Sequence, residues 1–308
     1  MPAQPRLAAI EAGGTKLIVS VGQDWQTAEQ VTIPTTTPSK TLKAVIRFLQ
    51  AQYQKAPFAA IGVGSFGPIA VNKTEPRFGE ILATPKPGWE GFSFVNALAQ
   101  FNRPIDIETD VNAAALAEAH FGAGQHCDRV VYVTVGTGIG AGLVIDRKIS
   151  NGFMHPEFGH IPVPHHVDDS SENCICPFHN NCLEGFASGP SIAQRWGATL
   201  DELSITHDAY EREAYYLGIM SANLILSLMP HRILIGGGVA QAEGLIDRVR
   251  QQTRKQLNGY LQLINSDAAI ATIIQRPGLG NNAGIAGAYL MAHNALKSTF
   301  SQSPLAGA

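Results

Sequence analysis

The chain contains no run of lysine or arginine, and its formal net charge is only −3 at pH 7. That excludes the broad basic field by which nucleic acids and anionic membrane surfaces are held. No stretch approaches the ~20 consecutive apolar residues that span a bilayer. The best, Ile225 to Met229, is broken by Ser227 and closed by Pro230. The N-terminus, MPAQPRLAAIEAGG, lacks the apolar segment and small-residue cleavage site of an export signal, so a cytoplasmic location is expected. Cysteine is scarce, with four among 308 residues. Without export a disulfide framework is not expected, which turns the clustered cysteines toward metal binding. Cys127, beside Asp128, reads as a small part-buried side chain.

What is present points to an ordinary soluble protein, 45% hydrophobic and 15% charged. Its 308 residues exceed one ordinary core and favour about two domains. The densest chemistry lies from His155 to Glu184, HPEFGHIPVPHHVDDSSENCICPFHNNCLE, which holds five of the ten histidines and three of the four cysteines. Thiolate and imidazole together suit a tetrahedral, redox-inert zinc ion. Cys176, His179 and Cys182 follow at intervals of three, and His160 supplies a distant fourth arm. Cys174 is left as a spare or as a competitor for Cys176. Four ligands leave no open position, so the metal is expected to be structural. Glu157 and Glu184 flank the ligands, and an ion fixing this loop would aim both carboxylates.

Taken in order, Leu7 to Gly22 reads as strand, tight turn and strand, LAAIE, AGGTK, LIVSVG. Gly13 and Gly14 would let backbone amides approach an anion, with Thr15 and Lys16 adding a hydroxyl and a charge; a plain hairpin turn is the alternative. Residues 40 to 54 carry Leu42, Val45, Ile46 and Leu49 at helical spacing. Ala59 to Val71 gives a strand, the loop Gly64-Ser65-Phe66-Gly67-Pro68 and a short return. Thr84 to Trp89 is a proline-rich surface loop whose Trp89, if exposed, would offer a sugar-facing wall; core packing is the other reading. Pro104 to Glu108 is a strand and Val111 to Phe121 a helix, with Asp110 at the junction as N-cap, as base, or as both.

Val130 to Lys148 repeats the opening design as VVYVTV, GTGIGAG, LVIDRK. Two halves that both begin with strand, glycine turn and strand suggest a duplicated fold, and a nucleoside triphosphate clasped from both sides fits better than a dinucleotide fingerprint. Helices are expected from Gly189-Pro190-Ser191, over 208 to 229, and from after Ala240 to about Gly259. Strands are expected over Arg232 to Ala240, ending in Gly236-Gly237-Gly238, and over Ile270 to Gln275. Gly280-Asn281-Asn282-Ala283-Gly284 leads into a last helix through Leu296, and the tail from Ser298 should fray.

Eight blocks in order resemble the ROK sugar kinases, and within them the zinc-containing fructokinase branch. They are Glu11 to Lys16, Gly64 to Pro68, Asp110 to Ala114, Gly136 to Gly140, His155 to His160, Cys176 to His179, Cys182 to Glu184, and Gly236 to Val239. The resemblance implies an α/β protein of the duplicated two-domain actin/hexokinase-like (ribonuclease H-like) fold, with ATP in a cleft between domains. It divides the chain into 1–118, completed by the helix within 283–308, and 119–282, carrying the zinc loop 155–184. It makes Asp110 the general base toward the sugar hydroxyl. Gly13, Gly14, Thr15 and Lys16, with Gly136, Thr137 and Gly138 inside the loop from Thr134 to Gly140, become phosphate contacts. Pro190, Gly236, Gly237, Gly238, Val239 and Ala240 line the adenosine side. Gly67, Asn112, Glu157, His160 and Glu184 address the sugar, with His160 shared with a structural Zn²⁺ held also by Cys176, His179 and Cys182.

Mg²⁺ would accompany ATP, D-fructose would become fructose 6-phosphate, and a homodimer is expected. Two departures stand out. Glu11 replaces the Asp of many of these kinases, and Cys176-Pro-Phe-His179-x-x-Cys182 replaces C-x-C-G-x-x-G-C. Rival activities within the family are glucokinase, mannokinase and N-acetylhexosamine kinase. A non-catalytic sugar sensor is a further alternative, which an intact Asp110 disfavours. A repressor would need a DNA-binding module, for which the six residues before Leu7 leave no room.

Overall fold

The computed structural model describes residues 4–301. In chain order the strands and helices are β1 (Leu7–Ala12), β2 (Lys16–Gly22), β3 (Glu29–Pro34), α1 (Pro38–Lys55), β4 (Ile61–Ser65), α2 (Phe94–Leu98), β5 (Ile105–Thr109) and α3 (Asp110–Phe121). Then come β6 (Arg129–Val135), β7 (Ile139–Ile145), β8 (Lys148–Ile149), α4 (Leu183–Ala187), α5 (Gly189–Trp196) and α6 (Asp208–Leu228). The chain closes with β9 (Arg232–Gly236), α7 (Leu245–Leu257), α8 (Asp267–Ile273), β10 (Ile274–Gln275) and α9 (Ala283–Ser301). Two compact units result. The first takes the chain up to Ala117, Asn151–His155 and the chain from Asn281 on; the second takes Glu118–Ser150 and Pro156–Gly280.

The first unit has a five-stranded sheet in the order β3-β2-β1-β4-β5, in which β1 to β3 form an antiparallel meander and β4 and β5 run parallel to β1. The second has β8-β7-β6-β9-β10, again an antiparallel meander followed by two parallel strands. The duplicated design expected from the two glycine hairpins is therefore a duplication of whole sheets. Parallel strands are buried on both faces, and β1 and β4 accordingly read as continuous apolar or small residues, LAAIEA and IGVGS. The unit cores are built on Ile10, Val19, Ile61 and Val63 in one case and on Val131, Val133, Ile233 and Ile235 in the other.

Three local expectations need correction. Trp89 is 1% exposed rather than a surface wall. It packs against Phe66, Phe92 and Phe94, and its indole N–H donates to the Thr36 carbonyl at 2.7 Å. A large aromatic whose one polar atom finds a partner gains more from burial than from display. Second, Ile270 to Ile273 is helical, and only Ile274 and Gln275 pair as a strand. The Ser266 hydroxyl accepts from the Ala269 amide at 3.1 Å, and this N-cap starts a helix that the β-branched run alone disguised. Third, the glycine turn after β6 is short, because Ile139 to Gly142 already belong to β7. Much of the tail expected to fray, from Gln302 on, lies outside the described residues.

Helix α9 lies across β1 and β4 at backbone contact. A Cβ on Gly62 would stand 1.9 Å from the Ala288 carbonyl oxygen, and one on Gly287 would stand 1.9 Å from that of Ala113. Neither backbone oxygen can swing aside as a side chain would. We expect Gly62→Ala to lower stability by about 1–3 kcal/mol through overpacking. Gly152→Ala, whose nearest neighbour is 4.0 Å away, should stay within about 0.5 kcal/mol of wild type. Equilibrium urea denaturation measures both, and equal midpoints for the two variants would contradict the close-packing account.

Candidate functional site

In the first unit the register aligns Ala12 with Ser65 and Ser65 with Thr109. Three parallel strands thus end on one row, so Gly13, Phe66 and Asp110 emerge side by side at their carboxyl ends, the edge where α/β sheets take ligands. The turn between β1 and β2 is closed by the Gly13 amide donating to the Lys16 carbonyl at 3.0 Å. Among the described residues no hydrogen bond uses the amides of Gly14 and Thr15. Free amides beside glycine form a concavity suited to an anion.

Asp110 is not the helix cap. The Thr109 hydroxyl accepts from the Asn112 amide at 3.1 Å, which makes Thr109 the capping residue and Asp110 the first residue of α3. One oxygen of Asp110 accepts from the Val111 amide at 2.8 Å. Desolvation pushes its carboxyl up to about 6 against that stabilising bond. Glu11, on β1, is pushed up to about 7, first by burial and then by the charge of Asp110, while Lys16 opposes the shift. Its Oε2 is buried with no hydrogen-bond partner. Two acidic groups at one edge, both above the usual carboxylate range and one with an orphaned oxygen, form a setting that an arriving cation would stabilise.

Beside this edge Asn112 donates to Glu108 Oε2 at 2.9 Å and to Asn151 Oδ1 at 3.0 Å, and Asn151 donates to Glu108 Oε1 at 2.7 Å. Burial pushes Glu108 up to about 7. The triad holds Asn112 in one rotamer. His155 lies buried against Gly67, and its Nε2 accepts from the Ile69 amide at 3.2 Å. Sequence reasoning passed over Glu108, Asn151 and His155 as site neighbours. Asn151 and His155 lie far along the chain, and no local pattern ties them to β5.

In the second unit the turn between β6 and β7 is closed by the Gly136 amide donating to the Gly138 carbonyl at 2.9 Å. The Gly189 amide donates to the Gly136 carbonyl at 2.7 Å, which brings the start of α5, with Pro190, against this turn. Thr134 pairs with Gly236, so Gly237 follows β9 beside the same turn, with φ +89. Val239 and Ala240 continue in a short 3₁₀ helix. Thr137 lies within the turn itself, between the two glycines.

The four expected metal ligands come together. Donor atoms of His160, Cys176, His179 and Cys182 all lie within 4.8 Å of one another. Cys176 Sγ is 3.8 Å from His160 Nδ1 and 3.5 Å from His179 Nδ1. Ligands at zinc bond lengths of about 2.0–2.3 Å in a tetrahedron stand about 3.3–3.8 Å apart, and the two Cys176–histidine separations match that spacing. Cys174 falls outside the group, and its thiol donates to the His179 carbonyl at 3.3 Å. Burial first, then the neighbouring Cys176 and Cys174, push the Cys182 thiol up to about 12, a penalty that a bound cation reverses.

The loop between His160 and Cys174 is tied down independently of any ion. Asp169 accepts from Arg212 at 2.7 Å and from the Tyr216 hydroxyl at 2.6 Å, both on α6, with Arg195 3.5 Å away. Glu184 joins this loop to the glycine turn. Its Oε2 accepts from the Ile139 amide at 2.8 Å, and Oε1 faces His160 Nε2 at 3.9 Å. Glu157 is exposed, and its carbonyl accepts from the His160 amide at 3.0 Å.

The family model described as "ROK family" matches residues 7–295. A protein named fructokinase from Zymomonas mobilis is 42% identical over 290 residues, covering 92% of this chain and 95% of the relative. Another of that name, from Pediococcus pentosaceus, is 40% identical over 294 residues, covering 94% and 99%. Among solved structures, a ROK hexokinase from Thermus thermophilus superposes with a TM-score of 0.76 at 27% identity, over 95% of this chain and 99% of that one.

Proposed function

The chain belongs to the ROK family, and from that premise we propose that it transfers the γ-phosphoryl group of ATP to the 6-hydroxyl of D-fructose. It is an ATP-dependent sugar kinase. The observation that carries the reading is the strand edge where Asp110, with its carboxyl raised to about 6, emerges beside the Gly13–Gly14 turn. Fructose rather than another hexose rests on the 40–42% identity to proteins of that name.

In this mechanism Asp110 accepts the hydroxyl proton while the sugar oxygen bonds to the γ-phosphorus and the bond to the ADP oxygen breaks. The free amides of Gly14 and Thr15 and the charge of Lys16 stabilise the phosphoryl oxygens, and Gly136, Thr137 and Gly138 are assigned to the nucleotide phosphates. Glu11 is the carboxylate that would face the Mg²⁺ arriving with ATP, which would neutralise phosphate charge. Pro190 and the run from Gly236 through Gly237, Gly238 and Val239 to Ala240 are assigned to adenosine. Gly67, Asn112, Glu157, His160 and Glu184 are assigned to the sugar. His160, Cys176, His179 and Cys182 would hold a zinc ion that supplies no chemistry and would cross-link the loop between Glu157 and Glu184.

The substrate assignment is tested by kcat/KM for fructose, glucose, mannose and N-acetylglucosamine. Fructose should lead, and a clear lead for another hexose would refute fructose while leaving the kinase reading standing. Asp110→Asn should fold normally, since Thr109 is the cap, and should lose about 10²-fold or more in turnover. In the wild type a base with a pKa near 6 is charged above that pH and protonated below it. Turnover should therefore fall as pH drops through about 6, and a rate flat down to pH 5 would remove Asp110 from the role. Elemental analysis should find about one zinc per chain, with Cys182→Ser depleting it and raising protease sensitivity within residues 155–184. A metal-free wild type with an equally protected loop would sink the zinc assignment.

A further inference from the structure

Lys86 lies in the loop between β4 and α2, which composition alone marked as a connection. Its ammonium donates to the Gly14 carbonyl, and its Cε is 3.4 Å from where a Cβ of Gly14 would stand. The ammonium also lies 5.4 Å from the centroid of the Phe66 ring. Phe66 is the residue that leaves β4 on the row shared with Gly13 and Asp110, and its amide donates to the Ala12 carbonyl at 2.7 Å. The loop is anchored from below, because Trp89 is buried against Phe66 and its amide donates to the Lys86 carbonyl at 3.2 Å. Lys86 is thus held at the glycine turn by a rigid aromatic base.

The electrostatics at this point are incomplete. Among the described residues Lys86 forms no ion pair, and burial alone holds its ammonium below the usual lysine range. An ammonium carries three donors, of which the Gly14 carbonyl takes one and the ring face offers a weak second. A carbonyl and a ring do not neutralise a charge, and part-burying an unpaired cation costs free energy unless an anion is to arrive. The adjacent amides of Gly14 and Thr15 are free as well. Two open amides and one uncompensated ammonium around a single turn make a site for a tetrahedral oxyanion.

We propose that Lys86 binds the transferring phosphoryl group itself, as a catalytic cation for the reaction assigned above. The proposal rests on the kinase reading. Lys16 leaves the same turn as a strand residue and is exposed, whereas Lys86 comes from outside the hairpin. Its charge therefore meets phosphate oxygens on a side that the hairpin's own residues do not cover. As the γ-phosphorus passes from the ADP oxygen to the sugar oxygen, negative charge spreads over its three equatorial oxygens. A fixed ammonium stabilises that distribution without reorganising, and the proton still goes to Asp110.

Lys86→Met keeps the stem against Phe66 and removes the charge. We expect kcat to fall about 10²–10³-fold, the usual effect of removing one preorganised donor, with the hexose KM within about threefold of wild type. Lys86→Arg should recover part of kcat. Calorimetry supplies a readout apart from turnover: Lys86→Met should weaken the Mg²⁺ complex of the non-hydrolysable analogue AMPPNP at least tenfold, and Mg²⁺-ADP less than threefold. Circular dichroism checks the fold, and Lys86→Gln is the second variant should the methionine not fold. Turnover within fivefold of wild type would overturn the proposal, as would equal weakening of AMPPNP and ADP, which would make Lys86 a general nucleotide contact. A wild-type chain that phosphorylates none of the four hexoses would defeat the kinase reading, while the AMPPNP and ADP comparison still decides which phosphate Lys86 meets.

Discussion

The contact on which the first unit depends is backbone against backbone, where α9 meets β4 and α3. At Gly62 and Gly287 no Cβ intervenes, so carbonyls of Ala288 and Ala113 approach to distances that only hydrogen on Cα allows. Close packing of this kind is stiff, because there is no rotamer to change and no side chain to give way. It holds β1, β4 and α3 in one fixed relation. The row Ala12, Ser65, Thr109 inherits that rigidity, and with it the placement of Gly13, Phe66 and Asp110. The edge proposed to react would have to hold groups to a fraction of an ångström, and such a support suits it.

On that frame the charges are arranged out of balance. Glu11 and Asp110 are raised above ordinary carboxylates mainly by desolvation, and Lys86 is lowered by it. Each shift records a cost of holding a charge away from water without full compensation. A polyanion brought with a divalent cation would answer both imbalances, the cation facing the carboxylates and the phosphate facing the ammonium and the free amides. The second unit solves a different problem. Its loop from His160 to Cys182 is long and has little core, and it is held by side chains: the Asp169, Arg212 and Tyr216 cluster at one end and four converging donors at the other. Glu184 carries that order to the Gly136–Gly138 turn through the Ile139 amide.

Much of this was legible in the chain itself, for physical reasons. Alternation of apolar strand and glycine turn, repeated at Leu7 and Val130, specified two hairpins, because register and turn chemistry are local. Histidine and cysteine density between His155 and Glu184 specified a four-donor cluster, because few residue types bind a soft-to-borderline metal. The spacing could not decide between Cys174 and Cys176. That choice fell to the direction in which each side chain leaves a loop with no regular period. Trp89 was ambiguous in sequence because a proline-rich loop says nothing of whether its aromatic turns inward. The helix over Asp267–Ile273 is disguised in sequence by its β-branched residues, and its start is marked only by the Ser266 cap.

Sequence alone therefore determined the two glycine hairpins, the doubled design, the family, and the set of four metal-type donors, all of which depend on residue type and short-range spacing. Tertiary structure alone decided that Thr109 rather than Asp110 caps α3, that Asn112 is locked by Glu108 and Asn151, and that Lys86 stands at the Gly14 carbonyl. Those facts join residues up to 72 positions apart. No local period connects Asn112 with Asn151 or Gly14 with Lys86; they meet because sheet register and aromatic packing bring separate loops to one edge.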